Sequence, residues 1–201
     1  TNTARGGHLA ADGELLDVWH WKSVRNAGFA NLDDSFFGPF LPNLPGQKRY
    51  TNGYSADPVL AGGYLENWRF FRSDTVTPLR LPREASLLTP YQENTGDTPL
   101  GMYWHDTMPY DVTLDNFPIG TVLPSVLWNF ANEGDRADVR AVGTWANGEW
   151  QLELARTFQT ESRYDITIEE SIYMWLATFD HSQIRHSYHL RPLKLSLEKR
   201  P

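Results

Sequence analysis

The chain contains no cysteine. This excludes disulfides, iron–sulfur clusters, thiolate nucleophiles and the C-x-x-C-H attachment of c-type haem, and leaves zinc only a site of histidine and carboxylate. Positive charge is also short: 18 Lys and Arg stand against 25 Asp and Glu, for a net charge of −7. A nucleic-acid binder would carry a basic face, so no nucleic-acid partner is expected, and an anionic membrane surface would repel this chain. No apolar run approaches the ~18 residues of a membrane-spanning helix. The opening TNTARGG lacks a hydrophobic region, so we expect a signal peptide to have been removed or never present. There is no P-loop, no G-x-G-x-x-G and no G-x-S-x-G elbow.

What is present suits one globular unit. Hydrophobic residues make up 40% and tryptophan occurs eight times, enough for a core, and 201 residues predict a single domain over 1–201. The clearest elements are strands. LLDVWHWK, residues 15–22, alternates: Leu16, Val18 and His20 share one face, Asp17, Trp19 and Trp21 the other. Residues 137–157 read as a hairpin, ADVRAVGTW and EWQLELART around Ala146-Asn147-Gly148. Tyr164–Ile168 predicts a short strand, and Ile172–Phe179, apolar on both faces, predicts a central one. His186–Leu197 closes the chain with Leu193, Leu195 and Leu197 on one face. Residues 23–34 have no period, and Asp33-Asp34 reads as a turn or a helix cap.

Residues 36–136 hold eleven of the thirteen prolines, interleaved with glycines and aromatics. The aromatics argue against disorder. We expect a largely irregular, ordered coil, with a helical turn near 124–132. The fold class is therefore mostly β: a β-sandwich with a long irregular Pro/Gly/aromatic-rich segment.

The stretch 171–197 carries three of the six histidines, His181, His186 and His189. His186 and His189 are three residues apart, so on one strand they face opposite sides and one alone looks inward. An inward imidazole can ligate a cofactor iron, although a lone histidine is more commonly a surface or structural residue. Met102 and Met108 flank His105, and thioether sulfur also binds haem iron, but loop packing is the commoner role. Asp33 with Asp34, Glu169 with Glu170, and Glu93 with Asp97 are weak candidates for acid–base work, because adjacent carboxylates point apart. Tyr50, Tyr54, Tyr64, Trp68 and Trp104 support an alternative, a non-haem β-sandwich module that stacks carbohydrate rings.

Three segments, in this order, carry a resemblance: DVWHWKSVR, the Gly-x-Trp hairpin running into LELART, and FDHSQIRHSYHLRPLKL. Together they resemble the haem-binding domain family of the ethylbenzene dehydrogenase gamma subunit, which includes dimethylsulfide dehydrogenase-type subunits and domains of bacterial cytochromes. The resemblance implies a β-sandwich holding one non-covalent haem b. It implies an electron-transfer subunit of a periplasmic or otherwise extracytoplasmic redox complex rather than a catalyst. Its partner would be an iron–sulfur subunit or a multihaem cytochrome. In that family one axial ligand, commonly methionine, lies about ten residues before the W-x-W strand, and the other, commonly lysine, opens the final strand. His8 and His186 stand at those positions here, so the resemblance puts the iron between His8 and His186. His20, His189, Met102 and Lys194 are the further candidates near the cofactor.

Overall fold

The computed structural model of the protein describes residues 14–38, 54–56, 61–72, 75–88, 101–179 and 186–198. The described residues are mostly β. In chain order come β1 (Leu16–His20), one short helix α1 (Ser23–Asn26), β2 (Asp33–Phe37) and β3 (Tyr54–Ala56). Next are β4 (Ala61–Glu66), β5 (Trp68–Arg72), β6 (Thr75–Pro78), β7 (Arg80–Pro82), β8 (Gly101–Tyr103) and β9 (Thr107–Pro109). The last third holds β10 (Val126–Glu133), β11 (Arg140–Ala146), β12 (Glu149–Ala155), β13 (Ser171–Met174), β14 (Ala177–Thr178), β15 (Ser187–Tyr188) and β16 (Leu193–Ser196). No helix among the described residues is long and apolar enough to cross a membrane.

These strands form small sheets rather than two large ones. β1, β2 and β3 make one antiparallel sheet. β10 lies between β4, antiparallel to it, and β8, parallel to it. The others pair in twos: β5–β6, β7–β9, β11–β12, β13–β16 and β14–β15. Two apolar clusters sit beneath them. Leu32, Val139 and Ala141 pack against Trp19 and Trp21, and Leu88, Met102 and Leu127 pack against Phe117 and Leu123.

The 140–155 hairpin forms as its Asn-Gly predicts. Asn147 and Gly148 both have positive φ, 54° and 82°, the conformation a two-residue type I′ turn needs. Its seat on the fold is set by Gly143, where a Cβ would stand 2.4 Å from the Trp21 ring. Trp21 in turn meets Trp150 edge-on at 5.0 Å.

Several expectations are corrected. Within 36–136 the described residues also carry short strands, β3 to β10, with irregular stretches between them. Pro78, Pro82 and Pro109 end three of these strands, and runs of three to six residues are too short to display an alternating pattern. Where a helical turn was expected near 124–132, β10 runs instead. Val126, Leu127 and Trp128 are all buried, so both faces of the strand are packed there and the sequence shows no alternation. Tyr164–Ile168 is not a strand. Asp17 takes the Ile166 N–H and the Phe158 carbonyl takes that of Ile168, so these donors need no ladder. Ile172–Phe179 is split into β13 and β14, because the Leu176 N–H bonds to a side chain, that of His189. Asp33-Asp34 belongs to β2, not to a turn or cap.

Candidate functional site

β1 ends at His20, whose register partner is Asp33 on β2. The ring is largely buried. Burial, followed by the positive charges of Lys22 and Arg25, lowers its pKa to about 4. His20 is therefore a neutral imidazole throughout the physiological range, the form in which histidine ligates metals.

The C-terminal hairpin reaches His20 through Phe179. β14 and β15 pair Ala177 with Tyr188 and Thr178 with Ser187, so Phe179 and His186 are the next residues out on either strand. Their rings meet at 4.7 Å, and Phe179 also stacks on His20 at 6.2 Å. Tyr188 lies 5.6 Å from His186 on its far side. Two histidines distant in sequence thus flank one phenylalanine. Along the strand pairs β14–β15 and β13–β16, Tyr173, Trp175, Leu176, Leu190, Leu193 and Leu195 are exposed, on both faces of β13–β16.

The other histidines differ. His189 Nε2 accepts the Leu176 N–H at 2.9 Å, which leaves Nδ1 protonated to donate to the Arg191 carbonyl. Both ring nitrogens are engaged, and the residue braces the hairpin that carries His186. His105 stacks on Tyr103 at 5.3 Å, exposed. Met102 is buried in the second apolar cluster with Leu88 and Leu127. Lys194 is exposed on β16, opposite Tyr173. His8 and His181 lie outside the described residues.

Lys22 was not singled out from the sequence, yet its ammonium stands 5.9 Å from the centre of the Phe179 ring. The signal was present: in W-H-W-K the lysine follows the histidine by two, the spacing of one strand face. The residues fit a haem in chemistry. The site offers neutral or exposed imidazole, wide apolar and aromatic surface, and no cysteine for covalent attachment. Of the aromatics considered for carbohydrate, Tyr64 and Trp104 each carry a guanidinium on one face, and Tyr50 lies outside the described residues. The Arg25 guanidinium lies 4.3 Å over Tyr64, and that of Arg80 lies 3.8 Å over Trp104. A sugar ring needs that open face.

A second polar centre lies beneath β1. Arg156 bonds Asp17 Oδ2 at 2.6 Å and lies 3.5 Å from Asp165, with all three side chains almost fully buried. Oxygens of Asp17, Asp34 and Asp165 come within 4.8 Å of one another. Burial raises the Asp17 pKa, against the lowering effect of the Ile166 N–H and of Arg156. With the guanidinium seated among the carboxylates, this is a structural clasp joining β1 to the loop after β12. Asp33, next to Asp34, is held by Arg136 and, at 3.6 Å, by Arg25. Asp17, Asp33 and Asp165 are ion-paired rather than poised as an acid–base couple.

Neither curated proteins nor solved structures include a match to this chain. The sequence model of the family described as ethylbenzene dehydrogenase matches residues 2–191, nearly the whole chain, and covers β1, the hairpin and the His186 segment alike. The chain belongs to the ethylbenzene dehydrogenase family.

Proposed function

We propose that the chain is a non-catalytic, extracytoplasmic electron-transfer subunit that holds one b-type haem. The observation that carries this reading is the convergence of His20 and His186 on Phe179. Family membership adds to it, because ethylbenzene dehydrogenase chemistry moves electrons. When bound, haem supplies a one-electron iron couple.

The chain's own residues supply the rest. His186, exposed beside the β14–β15 pairing, would hold the iron, and His8, carried over from the resemblance, would be its second ligand. His20 and Phe179 would pack against the cofactor and help keep water from it. His189 holds the hairpin in register through its two backbone hydrogen bonds. Two protein ligands would leave the iron no open site for oxygen, which suits electron transfer. The partner is an iron–sulfur subunit or a multihaem cytochrome, docking on an acidic protein of net charge −7.

The test is a visible spectrum after adding hemin to the purified chain. One equivalent should give a sharp Soret band and, on reduction, the split α and β bands of a six-coordinate low-spin haem. His186→Ala and His8→Ala should each abolish the low-spin spectrum, while His20→Ala should keep it. Hemin that binds without saturation and without these bands overturns the function. A low-spin spectrum lost in His20→Ala but kept in His8→Ala moves the second ligand to His20.

A further inference from the structure

We propose that Lys22 holds the carboxylate edge of the cofactor, as counter-ion to a haem propionate. The inference rests on the haem reading above and extends it from the iron to the rim of the ring.

Among the cations near His20, Lys22 stands apart. Arg25 is engaged with Asp33 at 3.6 Å and lies over Tyr64. Arg136 is paired with Asp33 as well. The Lys22 side chain, half-buried, makes no ion pair among the described residues, and its contact there is the Phe179 ring. Asp33 and Glu66 attract this ammonium without pairing with it, but burial and the Arg25 charge outweigh them and lower its pKa, so an anion in direct contact would be favourable.

Its backbone is pinned. The Lys22 N–H donates to Asn26 Oδ1 at 2.8 Å, and the Lys22 carbonyl accepts from Asn26 at 2.8 Å and from Arg25 at 2.9 Å. The first turn of α1 therefore fixes where the side chain starts. From there it reaches the same phenylalanine as His20, whose own contact is 6.2 Å. A ring bound against Phe179 and His186 would bring its edge to this ammonium. Of the groups on a b-type haem, only the two propionates are anionic, so charge selects which edge turns toward Lys22.

Hemin and hemin dimethyl ester separate the terms, since the ester keeps iron and ring but removes the negative charges. The wild-type chain should bind hemin about tenfold more tightly than the ester at low salt, and the preference should shrink as salt is added. Lys22→Met should bind both alike, with the Soret position and the axial spectrum unchanged, and Lys22→Arg should restore the preference. Equal binding of the two compounds by the wild type, or an undiminished preference in Lys22→Met, overturns the role of Lys22 and leaves the haem reading standing. Failure of hemin itself to bind overturns both.

Discussion

Burial decides how His20 behaves in acid. In the unfolded chain its imidazole titrates near its ordinary value of 6.5, and in the fold near 4. Between those values the unfolded chain binds a proton that the folded chain refuses, so folding stability falls as the pH is lowered from 6.5 toward 4. The slope from this residue approaches ~1.4 kcal/mol per pH unit at its steepest. Urea titrations of the apo protein across that range should show it, and His20→Phe should flatten it. An unchanged slope in the variant would mean the imidazole is not shielded as described. At this scale the sequence was partly legible. The alternation in LLDVWHWK predicts a strand, and β1 forms there, but its burial does not alternate: Leu16 is exposed and Asp17 to His20 are all half-buried. Phe179 as the neighbour of His20 was not legible, because that contact spans most of the chain and local periodicity carries no long-range information.

Among the elements, the hairpin was readable and the proline-rich middle was not, for the same reason. Asn147-Gly148 is a local signal whose backbone preference specifies a turn by itself. The strands of the middle are held by distant groups that no window of residues reveals. Asn67 is the clearest case. Buried just after β4, it donates to the carbonyls of Arg80 at 3.2 Å and Pro124 at 3.0 Å, and accepts the Arg80 N–H at 2.9 Å. One side chain thus ties the starts of β5 and β7 to the approach to β10. Replacing it with alanine strands those backbone groups away from water, at roughly 1–3 kcal/mol for each one left unsatisfied. Asn67→Ala should therefore lower the urea midpoint clearly, and Asn67→Asp, which turns a buried carboxylate oxygen toward those two carbonyls, should lower it at least as far. A variant as stable as wild type would show that water replaces the lost partners.

At the scale of the whole molecule the clasp under β1 matters most. One guanidinium serves Asp17 and Asp165, with Asp34 close by, and none of the four side chains is appreciably exposed. Arg156→Met removes the only positive charge among them. The loss should be on the order of 3–5 kcal/mol, the usual result of leaving buried charge uncompensated. The stability gap between variant and wild type should be smaller at pH 5 than at pH 8, because protonation relieves the carboxylates. A gap independent of pH would assign the effect to packing instead. Nothing in the sequence marked this centre. The adjacent pair Asp33-Asp34 drew notice, but Asp17 and Asp165 lie far apart along the chain, and their convergence is a property of the finished fold.

That clasp sets a schedule. The Arg156 guanidinium and the Ile166 amide that grip Asp17 lie 139 and 149 positions further along. During synthesis, β1 leaves the ribosome long before either exists, and it waits with Trp19 and Trp21 uncovered until residues 156–166 have been made. Ordering closes late around β1, and a nascent chain halted short of Ile166 is a target for chaperones rather than a half-built domain.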